Sequence, residues 1–203
     1  ITLESDSTSG GGGGQFNQQD IVDLSAGGSD RVRFEESTSR SDGNFVDDYH
    51  HVIGFDVAND VIEIDVSEIS IDWTTGQSVT AGGPNSAVEI LNHVSGTQSD
   101  GINEPTSFLK FTTPINTNGD DAETGFQEAI GPGVSGVFVS NNTDEVLAAY
   151  YDNINEQMVL ITVDADDGVG TFISANDDID VIATVGMSYD DFLKFHGSNL
   201  AFV

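Results

Sequence analysis

The chain has 203 residues, no cysteine, 35 acidic side chains and five basic ones, for a formal charge of −30 at pH 7. A surface so charged repels nucleic acid and anionic membranes, and without thiols there are no disulfides, thiolate metal sites or cysteine nucleophiles. Hydrophobic residues make up 37%, too many for a disordered acidic chain and enough for the core of one large or two small domains.

Two readings of the acidity compete. One is a solvated, salt-adapted face; the other is a set of carboxylate sites filled by divalent cations. Placement favours the second. The basic residues are Arg31, Arg33, Arg40, Lys110 and Lys194, with none between the last two. Salt bridges therefore cannot compensate the acids of that region. Aspartates also gather at turns, and hard oxygen ligands on flexible loops suit Ca²⁺ better than Zn²⁺ or Mg²⁺. No apolar run is long enough to span a bilayer, so membrane insertion is not expected. The chain starts at Ile1 without a signal-peptide pattern, which suggests a piece of a larger protein.

Residues 1–19 are Ser/Gly-rich, with five consecutive glycines at Gly10–Gly14. They read as a linker, or as the Gly-rich turn of a β-roll. Asp20–Leu24 and Arg31–Phe34 read as strands around a turn at Ser25–Asp30. The echo of Asp20-x-Val22 in Asp30-x-Val32 suggests a small β-solenoid with about one coil between the two. Gly28-Ser-Asp30-Arg-Val32 fits the second half of the calcium-binding nonapeptide G-G-x-G-x-D-x-U-x; the first half is absent. Residues 35–47 form a polar loop.

The stretch His50–Asp65 predicts two strands, Val52–Phe55 and Val61–Ile64, because β-branched residues favour a pleated surface. The link Asp56–Asp60 suits a turn, since aspartate and asparagine side chains bond to nearby backbone amides. Beyond it, Ile69, Ile71 and Trp73 alternate as an edge strand, with Trp73 a core or interface anchor. Ser86–Ser95 predicts a helix, with Glu89 three residues after Ser86. A polar loop follows over 96–107.

Phe108–Phe111 reads as a strand. Asp120–Ile130 reads as a helix with Asp120 as N-cap, Glu123 at its third position and Gly131-Pro132 as its stop. Four strands at hairpin spacing follow, Gly136–Ser140, Val146–Tyr151, Met158–Val163 and Ile179–Thr184. Ser188 caps a last helix, with Asp191 three residues on. The fold class is therefore mainly β. Calcium-binding, β-roll or solenoid-like strands over 20–106 precede an antiparallel sheet or sandwich over 107–203, with two or three short helices.

The candidate metal ligands fall in two sets and one outlier. The first set is Asp164, Asp166 and Asp167 with Asp177 and Asp178, on an acidic Gly-containing loop that aims several carboxylates at one point. It is not an EF-hand, for Gly168 and Ala175 stand at the wrong positions. The second set is Asp47, Asp48, Asp56 and Asp60. Asp30, in the partial nonapeptide, is the outlier. For each, a solvated turn is the plainer reading. Catalysis finds little support, and no enzyme is expected. His50, His51, His93 and His196 form no H-E-x-x-H pattern, no G-x-S-x-G elbow exists, and the glycine run lacks the residues of a phosphate-binding loop. His50 and His51 on one strand face opposite ways and cannot grip one ion together.

Three segments together carry a resemblance: Asp20–Phe34, Val52–Ile64, and Ala148–Asp152 leading into Val159–Asp164. They resemble the C-terminal region of RTX-like adhesins and surface-layer proteins that Gram-negative bacteria export by type I secretion. That resemblance implies calcium-triggered folding at the cell surface, and an uncleaved terminal export signal to which Asp190-Asp191 and Leu200–Val203 are similar. It further implies self-association in a lattice or filament, with cell-surface polysaccharide as another partner. The alternatives are the secretion domain of an exported hydrolase and a calcium-dependent carbohydrate-binding module.

Overall fold

In the parallel register of the chain's first half, Val22 lies beside Val52 and Val32 beside Ile62. The computed structural model describes residues 1–3, 21–35, 50–81, 88–94, 99–100, 106–116, 122–131, 137–140, 145–164, 172–173, 177 and 179–203. Strands β1 (Thr2–Leu3), β3 (Arg31–Phe34) and β5 (Val61–Ile64) stack parallel in one sheet, while β2 (Ile21–Asp23) and β4 (His50–Ile53) stack parallel in another. The chain thus alternates between two sheets, as a solenoid does. Its coil spans 30 residues, the separation of Asp30 and Asp60. The ten-residue Asp20/Asp30 echo is shorter than a coil, and β2 and β3 belong to different sheets.

Period-two alternation explains the roll's interior. Val22, Val32, Phe34, Val52, Ile62 and Ile64 all point inward and are buried. Each such side chain contributes about 1.5–3 kcal/mol when fully buried. At the far edge, β14 (Leu200–Phe202) pairs parallel with β5. The last residues of the chain therefore complete the roll's sheet, in the order β1-β3-β5-β14.

The second sheet runs on from the roll. Its order is β2-β4-β13-β11-β10-β8-β6, adding β6 (Ile90–His93), β8 (Phe108–Ile115), β10 (Glu145–Asp152), β11 (Gln157–Asp164) and β13 (Ile179–Gly186). The centre, β10-β11-β13, is antiparallel as the hairpin spacing predicts. Its flanks are parallel, β8 to β10 and β4 to β13, so the sheet is mixed. Leu147, Ala149 and Tyr151 face the roll's core, and Val146, Ala148 and Tyr150 face a second core beneath helix α1 (Ala122–Ile130). Burial on both faces is why these strands read as continuous apolar runs. Gly125 lets α1 come close, since a Cβ there would stand 2.7 Å from the Tyr150 hydroxyl. A small third sheet joins β7 (Ser99–Asp100), β9 (Val137–Phe138) and β12 (Phe172–Ile173).

Helix α2 (Tyr189–Lys194) begins as its sequence predicts. The Ser188 hydroxyl accepts the Asp191 amide at 3.1 Å and donates to the Asp191 carboxylate at 2.7 Å. Asp120 lies outside the described residues, as do 4–19. Four expectations are corrected. Residues 90–93, placed in a helix by the Ser86…Glu89 pattern, form β6 because pairing with Phe108–Phe111 overrides local preference. Ile69, Ile71 and Trp73 are buried in the core rather than aligned in an edge strand, and only Asp72 bridges, to Ser78. The boundary at 106/107 does not separate two domains, because β4 pairs with β13 and β5 with β14 across it. At the N-terminus, Thr2 and Leu3 belong to a strand rather than a linker. Among the described residues no helix is long and apolar enough to cross a membrane.

Candidate functional site

The coil stack brings Asp30, Asp56 and Asp60 together. Val61 donates its amide to the Asp30 carbonyl at 2.9 Å, which fixes the two turns one above the other. The buried Asp60 carboxylate then accepts two backbone amides, Asp30 at 2.9 Å and Asp56 at 2.8 Å. Asp56 accepts the Ala58 amide at 2.9 Å and the Asn59 side chain at 2.8 Å. The Ala58 amide, then the Asn59 amide group, hold its carboxyl below the usual carboxylate range. Asn199, near the C-terminus, donates to the Val57 carbonyl at 2.8 Å and the Asp60 carbonyl at 3.1 Å. The same use of aspartate recurs at Asp23, which accepts the Ser25 amide at 2.9 Å, and at Asp152, which accepts the amides of Ile154 at 2.8 Å and Asn155 at 3.2 Å. At the strand reversals, then, these carboxylates cap turn amides.

This chemistry bears on calcium. A carboxylate oxygen that accepts one N–H keeps a lone pair for a cation, and calcium takes six to eight oxygens from carboxylates, carbonyls and water. Among the described residues no group of three or more His, Asp or Glu side chains is placed to hold a metal ion. Of the other predicted ligands, Asp164 ends β11 and is exposed, and Asp177 is buried just before β13. Asp47, Asp48, Asp166, Asp167 and Asp178 lie outside the described residues.

Ion pairs flank the coil stack. Arg31 pairs with Glu63, and Arg33 with Asp65 and, at 3.2 Å, Glu35. The Ser67 hydroxyl, 2.6 Å away, and then Arg33 lower the Asp65 carboxyl to about 2. The His50/His51 expectation of opposite faces is met: His50 is buried beside Phe34, its ring centroid 5.7 Å away, while His51 is half-buried.

Two features were not read from the sequence. The first is Lys110, buried on β8 with its ammonium group against the C-terminal end of α2. It donates to the carbonyls of Phe195 at 2.9 Å, Leu193 at 3.1 Å and Phe192 at 3.4 Å, and burial pushes its pKa down. A charged residue inside Phe-Leu-Lys-Phe was the available signal. The second is a cleft of about 590 Å³ where β4, β13 and the β10–β11 hairpin meet. His51, Tyr151, Asn153, Asn155, Glu156 and Tyr189 line it. His51 Nδ1 lies 2.5 Å from the Thr184 hydroxyl, and burial lowers its pKa. The tyrosine hydroxyls donate inward, Tyr151 to the Met187 carbonyl at 3.1 Å and Tyr189 to the Thr112 carbonyl at 2.5 Å.

Comparison with protein-family models, with curated proteins and with solved structures gives no match.

Proposed function

We propose that the chain is a non-enzymatic extracellular structural module, exported by type I secretion, that serves a surface layer, matrix fibre or adhesin and associates with copies of itself. Calcium neutralises its acidic turns as it folds outside the cell. The observation that supports this most is the stacking of parallel coils, with the turn of Asp60 seated on that of Asp30. A solenoid grows by adding coils without changing the surroundings of each, which suits an architectural task.

Charge is the second support. A formal −30 opposes compaction unless counter-ions gather. In a cytosol poor in calcium the chain stays loose enough for export; outside, millimolar calcium fills even weak sites and adds its binding energy to folding. Circular dichroism with calcium and with EGTA, with light scattering on the same samples, tests both halves. Calcium is expected to raise the β signal and the scattering mass. A fold indifferent to chelation removes calcium from the account, and a calcium-ordered chain that stays monomeric at high concentration removes self-assembly.

A further inference from the structure

We propose that the cleft between the β10–β11 hairpin and the start of α2 binds a neutral saccharide. Its walls set the half-buried Tyr189, with Tyr151 buried against it, beside amide, hydroxyl and carboxylate groups. Tyr151 and Tyr189 pack with ring centroids 5.2 Å apart, and Asn153, Asn155, Glu156 and Ser188 surround them. A pyranose has the matching surface: apolar C–H faces to lie against the Tyr189 ring, and hydroxyls around the edge that both donate and accept. The volume, about 590 Å³, falls within the roughly 300–1,000 Å³ of small-molecule sites.

Glu156 is the second, independent observation. It is the only non-glycine among the described residues with a positive φ, 51°. Glycine adopts that conformation without steric cost, whereas glutamate does not. The backbone there is held by the Met187 amide, which donates to the Glu156 carbonyl at 3.2 Å. A residue kept in a costly conformation at the mouth of a cleft points to a use for its side chain. A carboxylate accepting two adjacent sugar hydroxyls supplies that use.

The surrounding amides are already oriented. Asn155 Nδ2 donates to Asp152 at 2.6 Å, and Asn153 Nδ2 donates to the Asn116 side chain at 3.0 Å. Each pairing fixes its amide, so that the carbonyl oxygen is left as an acceptor for a hydroxyl. The chain's charge selects against anionic sugars. Nothing in this arrangement needs calcium or self-association, so the inference stands apart from the proposed function.

The test is an NMR titration of the calcium-loaded full chain with cellobiose, lactose and N,N′-diacetylchitobiose, up to millimolar concentration. At least one sugar is expected to shift the amides of Ile53–Gly54, Asn153–Glu156 and Gly186–Tyr189. Glu156→Gly is expected to keep or raise the melting temperature, because it relieves the backbone. It is also expected to weaken binding roughly tenfold or more, the loss for one hydrogen bond to a charged group. Absence of shifts at these amides with all three sugars overturns the proposal. So does binding that Glu156→Gly leaves unchanged, or a response to lysine methyl ester in place of the sugars.

Discussion

The Asp60 carboxylate accepts the backbone amide of Asp30, one coil earlier in the chain, at 2.9 Å. Its other oxygen takes the Asp56 amide at 2.8 Å, so one buried side chain ties a turn to itself and to its neighbour. Removing it leaves two amides without acceptors, each costing about 1–3 kcal/mol when buried. Asp60→Ala is therefore expected to lose about 2–4 kcal/mol in urea unfolding, and Asp60→Asn, which keeps one acceptor oxygen, about half of that. The same variants separate staple from ligand. If Asp60 only holds amides, the loss is the same in calcium and in EGTA; if it also binds calcium, the loss is larger in calcium.

Gly54 meets the turn of the coil below it. Its φ is 73°, and a Cβ built there would stand 2.7 Å from the Ser25 amide nitrogen and 2.8 Å from the Ser25 Cα. Backbone on the other side cannot rotate away as a side chain would. Gly54→Ala combines left-handed strain with overpacking, and is expected to cost about 2–4 kcal/mol in thermal or urea unfolding. Gly27, also left-handed at φ 72° but with nothing within 4 Å, is the control. Alanine there is expected to cost only the conformational part, about 1–2 kcal/mol.

Local pattern sufficed where one rule acted alone. The strands β5, β10, β11 and β13 announce themselves through β-branched or continuous apolar runs, and the Ser188–Asp191 cap fixes the start of α2. Pattern failed where distant partners decide. Ile90–His93 pairs with Phe108–Phe111, but the preceding Ser86 and Glu89 imitate a helix start. The parallel pairings of β4 with β13 and β5 with β14 join segments more than a hundred residues apart, and no local signal encodes them. The coil length was present in the sequence as the match of Asp30 with Asp60 and Val32 with Ile62, yet the nearer echo at ten residues hid it. The local amide-capping of Asp56 follows from the turn chemistry of Asp56–Asp60, but the bond from the Asp30 amide to Asp60 became visible only with the second coil in place. Glu156 gave no signal, because its residue type does not reveal the positive φ that its backbone adopts.

Lys110 joins the second sheet to the C-terminal helix. Its ammonium group is buried and reaches the carbonyls of Phe192, Leu193 and Phe195 at the C-terminal end of α2, where the Phe192 carbonyl also accepts the Phe195 amide at 3.1 Å. Its cation also lies 5.5 Å from the centre of the Phe192 ring. Lys110→Met keeps the aliphatic volume and removes the donors, and hydrogen bonds to charged groups are worth about 1.5–3 kcal/mol. A stability loss of that size is expected. Hydrogen exchange should locate it, with α2 and β14 opening more readily while the β10–β11 hairpin keeps its protection. Uniform loss of protection across the chain would show that Lys110 holds no separate unit in place.

Asp65 makes stability depend on acid. Its carboxyl is lowered from 3.8 to about 2 in the folded chain, first by the Ser67 hydroxyl and then by Arg33. Between those two values the unfolded chain binds the proton and the folded chain does not, so stability falls as pH falls. The contribution is fully present above about pH 4 and is gone below about pH 2, and after allowance for water it amounts to about 1–2 kcal/mol. Ser67→Ala removes the larger cause and is expected to move the acid-unfolding midpoint upward. Molar salt screens Arg33 but leaves the hydroxyl bond intact, so it should move the midpoint less than the substitution does. A midpoint more sensitive to salt than to Ser67→Ala would make the ion pair with Arg33 the dominant hold on Asp65.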